Sequence, residues 1–317
     1  MVIAAAGKIY VDSMINSQVQ SELEGMQQNA RFALNQIVND TKRSGYFGEF
    51  TELSWLSGTQ APATPDGSCS IMGNSWGRML QQPLYGLNDS RTGYDCIPAK
   101  DYLRGDVLTL RYTSPLPVAA SEPMRLYLKS SPDAARLFVG HEREDAGNRI
   151  AAGRAVTRAL VARAYYIRES STVTCPDGSH PPSLYREYLG NNGLPVSEEV
   201  AAGIENLQIE YAVANRSQDS LRFVDADTVE DWDSVVMLQL WLLARQWQMG
   251  EFQAEDAGTP ISARLRGEAA QLTRYHAGPL DGASVTGRSY DGRTPLEAIV
   301  EREPLTRAGA TYHPARA

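Results

Sequence analysis

The chain opens with MVIAAAGKIYV and runs, with nothing to break it, into QNARFALNQIVNDTKRSGYFG. This opening constrains the fold more than any other part of the sequence. Val11, Ile15, Val19, Leu23, Met26, Ala30, Leu34, Ile37 and Thr41 recur at spacings of three or four, one continuous stripe along a helix of roughly forty residues. The opposite face carries Asp12, Gln20, Glu24, Gln28, Asn35 and Asn39, and Gly25 is the weak point inside. Lys42 and Arg43 suit the negative end of the helix dipole, and Gly45 can take the left-handed conformation that closes a helix. On amphipathicity alone this is a coiled-coil or core helix. Its first eleven residues, however, are almost wholly apolar, like the last half of a membrane anchor with Lys8 and Tyr10 at the interface. Met1 then falls inside that anchor, and no run reaches the ~20 apolar residues of a complete span.

The rest of the chain can bury a core. Hydrophobic residues make up 42%, and 26 Gly, 17 Pro and 15 Tyr against 6 Phe indicate a turn-rich, β-containing head. A net charge of -8, with no basic run interleaved with aromatics, argues against nucleic acid or an anionic membrane surface as the main partner. Alternation and β-branched enrichment place strands at residues 106–112, 124–129, 135–140, 163–169, 183–189 and 203–213. SVVMLQLWLLA, residues 234–244, suits a central strand or a buried helix, and its β-branched start favours the strand. RIAAGRAVTRALVAR, residues 149–163, reads as a short helix with a solvated Arg face. The fold class expected is α+β, a long N-terminal helix packed on an antiparallel sheet, with an irregular C-terminal segment. The boundaries fall at 1–48 for the helix, 49–245 for the head and 246–317 for an appendage or tail.

The chemistry of an enzyme is missing. There is no GxSxG, HExxH, GxGxxG or P-loop, and His141, His180, His276 and His313 are scattered over presumed loops, so no catalytic set can be named. Cys69 and Cys96 bracket a Gly- and Asn-rich loop; a bridge there would contribute about 3.5 kcal/mol in an oxidising compartment, and three free core thiols, Cys175 included, are the alternative. No cysteine has a histidine at zinc-ligand spacing. DADTVEDWD gathers Asp225, Asp227, Glu230, Asp231 and Asp233. Calcium is the one cofactor those carboxylates suggest, but the loop lacks the Gly and terminal Glu of an EF-hand, so a solvated acidic loop with Trp232 as its anchor is the plainer reading.

Several blocks, in order, resemble the PilW-type minor pilins of type IV pili. MQQNARFALNQIVNDTKRSGYFG resembles the end of that family's helix, and LRGDVLTLRY and YYIRES…PSLYREYL its strands. VAAGIENLQIEYAV and FVDADTVEDWDSVVMLQLWLLAR resemble its later blocks, so the likeness spans residues 2–245; RQWQMGEFQAEDAGTP, after it, departs from the pattern. The resemblance implies a non-catalytic subunit that primes pilus assembly or sits at the filament tip, with a type II secretion pseudopilin or a calcium-dependent surface-binding module as alternatives. It implies other minor pilins, the major pilin and the inner-membrane assembly platform as partners, and the inner membrane facing the periplasm, then the pilus, as location. On this reading Leu23, Ala30, Leu34 and Ile37 pack the helix on the sheet, while Val11, Met14, Ile15 and Val19 are left to contact neighbouring subunits.

Overall fold

The computed structural model describes residues 2–50, 53–58, 76–92, 94, 96–141, 155–175, 177–215, 220–245 and 293–301, with side chains outside 1–9 and 293–301 and a few helix positions. The expected helix is there: α1 runs Val2–Arg43. It stops where the sequence says it should, because Gly45 takes a φ of 83° and its N–H donates to the Arg111 carbonyl at 2.9 Å. Alanine at Gly45 would be forced into the same left-handed region, so Gly45→Ala should lower stability by about 1 kcal/mol, read as a shift in urea midpoint.

Among the described residues, two sheets make up the head. The larger joins β1 (Leu56–Ser57), β2 (Leu84–Leu87), β3 (Val107–Pro117), β4 (Leu126–Ser131), β5 (Ala134–Val139), β6 (Val156–Glu169), β7 (Pro182–Leu189) and β8 (Pro195–Ala202). Its strand order is β1-β5-β4-β6-β3-β2, with β7 and then β8 continuing from β6. Only the short β1–β5 contact is parallel. The 14-residue β6 is its spine: one edge pairs with β3, and the other pairs first with β4 and further along with β7. The smaller sheet holds β9 (Ile204–Asn215), β10 (Ser220–Val224), β11 (Val235–Arg245) and β12 (Arg293–Glu301), in the order β10-β9-β11-β12.

The expected strands all form, and two readings are corrected. Residues 156–163 of the basic cluster are not a helix with an Arg face but the first half of β6; their alternating pattern of β-branched and small residues fits a pleated ladder, and 149–154 lie outside the described residues. SVVMLQLWLLA is the strand expected, with Leu238, Leu240, Leu242 and Ala244 buried and Met237, Gln239, Trp241 and Leu243 only partly so. The segment after Arg245 is not wholly irregular, because residues 293–301 pair with β11 from Met237↔Glu301 to Arg245↔Arg293.

The main core lies between α1 and both sheets. Met26, Ala30, Ala33, Leu34, Ile37 and Val38 meet Leu108 and Leu110 of β3, Tyr165 and Ile167 of β6, and the inward residues of β9 and β11. At Gly86 of β2 there is no room for a side chain: a Cβ would lie 1.9 Å from the Tyr211 hydroxyl. That close approach lets Tyr211 and Tyr85 flank Trp232, each ring centroid 4.9 Å from the indole.

Candidate functional site

Along α1 the environment changes in steps, and those steps define the site. Over its last five turns one face is sealed, with Ala30, Ala33, Leu34 and Ile37 at 0% exposure. Burying Met26, Leu34, Ile37 and Val38 contributes on the order of 8 kcal/mol of gross hydrophobic stabilisation. Leu23 is half-buried against the same cluster. Ala30, Leu34 and Ile37 lie within that cluster, and Leu23 lies at its margin. N-terminal to that point the cover runs out: Val19 is half-buried, Met14 is 57% exposed and Tyr10 is 66% exposed.

Of the four residues expected at an assembly surface, the side chains of Val11 and Ile15 lie outside the described residues, Val19 is half-buried, and Met14 points outward, five turns below Phe32 on the same line and close to Tyr10. Phe32 is 50% exposed, on the side of α1 away from the core. Sequence reasoning missed this second, outward apolar line because its members are separated by polar and small residues (Ser17, Ser21, Gly25 and Gln28), and a stripe search favours the denser face.

The helix is fixed to the head by a buried carboxylate that the stripe does not reveal. Asp40, 2% exposed, accepts hydrogen bonds from the Tyr112 hydroxyl at 2.8 Å, from Arg163 Nη1 at 2.6 and 2.5 Å, and from the Tyr165 hydroxyl. Burial and the Asp40 charge together push both phenols above the ordinary tyrosine range. Burial alone would lower the Arg163 guanidinium, but its hydrogen bond and charge contact with Asp40 outweigh that and raise it. One turn on, Ser44 Oγ donates to the Pro83 carbonyl at 2.8 Å, which ties the end of α1 to the segment before β2.

The other singled-out residues have structural partners or lie apart. Trp232 is 8% exposed between Tyr85 and Tyr211, an anchor rather than a recognition residue. Asp227 accepts from Asn88 Nδ2 at 3.3 Å, and Asp231 caps a one-turn 3-10 helix (Trp232–Ser234) by accepting from the Asp233 N–H at 3.0 Å. Asp225 precedes a second such turn, Ala226–Thr228. Among the described residues no three His, Cys, Asp or Glu side chains converge as a metal-holding group. Cys96 is buried and disulfide-bonded, Cys175 is a free, half-buried thiol, and Cys69 lies outside the described residues. His141 and His180 each turn Nδ1 to a backbone carbonyl, of Pro123 and Val173, both at 2.9 Å.

The family model of type IV pilus-assembly protein W matches residues 164–277, a little over a third of the chain. The match covers the end of β6 and all of β7 to β11, and it passes Arg245, where the resembling blocks stop; residues 2–163 lie outside it. No curated protein and no solved structure matches the chain. Among the described residues no helix is long and apolar enough to cross a membrane.

Proposed function

We propose that this chain is a non-catalytic minor pilin, a subunit that takes part in assembling or priming a type IV pilus at its tip. The family likeness ties the head to pilus assembly. The observation that carries the finer reading is the division of α1, whose C-terminal half is sealed into the head while Met14 and Tyr10 stand exposed on its N-terminal half. An apolar helix that outruns its own head is built to be covered by something else. In this reading the covering is supplied by neighbouring subunits, other minor pilins and the major pilin. Before assembly the same half rests in or on the inner membrane, beside the assembly platform, and the head faces the periplasm. An oxidising periplasm suits a Cys69–Cys96 bridge.

The test separates folding from assembly. Met14→Asp changes an exposed side chain and should move unfolding free energy by no more than about 0.5 kcal/mol. Ile15→Asp should likewise spare the fold. Both should abolish co-assembly, measured as recovery of the variant in sheared pili from a strain lacking the natural copy. Equal loss of fold and assembly, or full assembly by both, would overturn the division of labour. A pseudopilin has the same physics, and complementation of a secretion defect in place of a pilus defect would assign the chain to that system.

A further inference from the structure

Apolar contacts have no direction, and the buried stripe of α1 does not choose its own register. Shift the helix by four residues and Met26 lands where Ala30 was, Ala30 where Leu34 was, Ala33 where Ile37 was and Leu34 where Val38 was. Every one of these places accepts an apolar side chain. The stripe thus settles which side of α1 faces the head and leaves the choice of turn to side-chain volume alone, since a slip overpacks the Ala30 place with Met26 and leaves a void at the Leu34 place.

Asp40 removes that freedom. Both its oxygens are filled by donors from two strands, Tyr112 on β3 and Arg163 and Tyr165 on β6. One turn of slip would bring Gln36 or Ser44 opposite Arg163, and neither carries a carboxylate. A partly buried guanidinium would lose its anion and two buried phenols their acceptor, a costly state. The carboxylate is also badly placed for helix stability, since an anion in the C-terminal turn opposes the dipole. Gly45 N–H on the Arg111 carbonyl and Ser44 Oγ on the Pro83 carbonyl also hold the end of the helix, and Asp40 adds to them a buried charge that a slipped register leaves unpaired.

We propose that Asp40 is a positioning residue that sets the register and rotation of α1 on the head, and so the direction in which Tyr10, Met14 and Phe32 face. Its consequence for the filament rests on the minor-pilin reading; the register itself is a property of the single chain. The lever is long. Met14 lies about 40 Å along the helix from Asp40, and a one-turn slip moves every exposed position by about 6 Å while turning the outward line by about 40°.

The experiment is a spin-label distance in the full chain, with labels at Gln28→Cys on α1 and Arg222→Cys on β10, both exposed, in a Cys175→Ser background. The reference protein should give one narrow distance. In Asp40→Leu/Arg163→Met, which removes both charges and leaves neither unpaired, a second distance, displaced by up to about 6 Å, should appear although the protein still melts cooperatively. In Gln36→Asp/Asp40→Gln the carboxylate is moved by one turn, and the main distance should follow it by the same amount. A single unshifted distance in either folded variant overturns the proposal, and loss of cooperative melting in one leaves the decision to the other. Because the readout is internal, a failure here leaves the assembly assay untouched, and a failed assembly assay leaves the register result standing.

Discussion

Arg111→Ala should destabilise the head by about 4 kcal/mol, the largest loss expected from any single truncation in it, although Arg111 touches no carboxylate in the described structure. Arg111 on β3 is 0% exposed. Its Nε donates to the Trp76 carbonyl at 2.5 Å, and its Nη1 donates to the Gln82 carbonyl at 2.8 Å and to Thr109 Oγ1 at 3.3 Å. Its Nη2 lies 3.6 Å from the Met79 sulfur. Burial pulls the guanidinium down to about 10, still charged at neutral pH. The backbone of the same residue accepts from Gly45 N–H and donates to the Pro83 carbonyl. One side chain thus organises the segment from Trp76 to Gln82, next to the point where α1 ends. Truncation leaves two buried carbonyls without charged donors and a cavity the size of the side chain, each a cost of roughly 1–3 kcal/mol. Arg111→Met fills most of the cavity and should lose about half as much. Urea unfolding of the two variants decides the matter. Losses below about 1 kcal/mol for both would mean the segment from Trp76 to Gln82 is held by its apolar contacts alone.

The contrast between Arg111 and Leu34 shows what could be read from sequence. Leu34 belongs to a period, and the period alone named its face; the helix and the strands with clear alternation could be read the same way. β8, with its PVSEEVAA sequence, could not: two adjacent glutamates look like a loop, and the strand exists because β7 offers an edge from Ser183↔Ala202 to Leu189↔Pro195. β12 is likewise a strand by virtue of its partner. β2 and β10 are too short to show a period, at four and five residues. The buried charges were the least legible. Asp40 finds its donors 72, 123 and 125 residues away, and nothing in NDTKRSG announces them. Arg111 sits in a short strand pattern that gives no sign of the carbonyls it would meet. The order of the family blocks pointed to pilus assembly, while the outward line of Tyr10, Met14 and Phe32 stayed hidden because its apolar members are sparse.

The second large effect concerns pH and rests on Asp106, the residue that joins the two sheets. Asp106 stands just before β3, is 2% exposed, and accepts from the Ile209 N–H of β9 at 2.6 Å and from the Asp89 N–H at 2.9 Å, while its own N–H donates to the Leu207 carbonyl at 2.8 Å. Burial raises its carboxyl, the two N–H donors lower it again in part, and the nearby Asp89 and Asp225 charges raise it, leaving it at about 6 against 3.8 for an ordinary aspartate. The native state therefore binds this proton more tightly than the unfolded chain does. Its contribution is fully present below the unfolded value, declines as pH rises from about 4 to about 6, and is gone above that window. A proton held roughly a hundredfold more tightly in the native state is worth about 3 kcal/mol. Glu187, also raised, acts in the same direction, and Glu199 and Asp177, both lowered, act in the opposite one. All three are shared by the wild type and Asp106→Asn, so the difference between the two proteins isolates Asp106. That difference in unfolding free energy, wild type minus variant, should fall by about 2.4 kcal/mol between pH 4 and pH 7 and stay level from pH 7 to pH 8. At pH 7 the variant should be close to the wild type, because the amide loses one hydrogen bond but also removes a desolvated charge. A difference that stays constant across the range would place the titration elsewhere. It would leave Asp106 as a plain hydrogen-bond acceptor, holding β9 to β3 equally well at every pH.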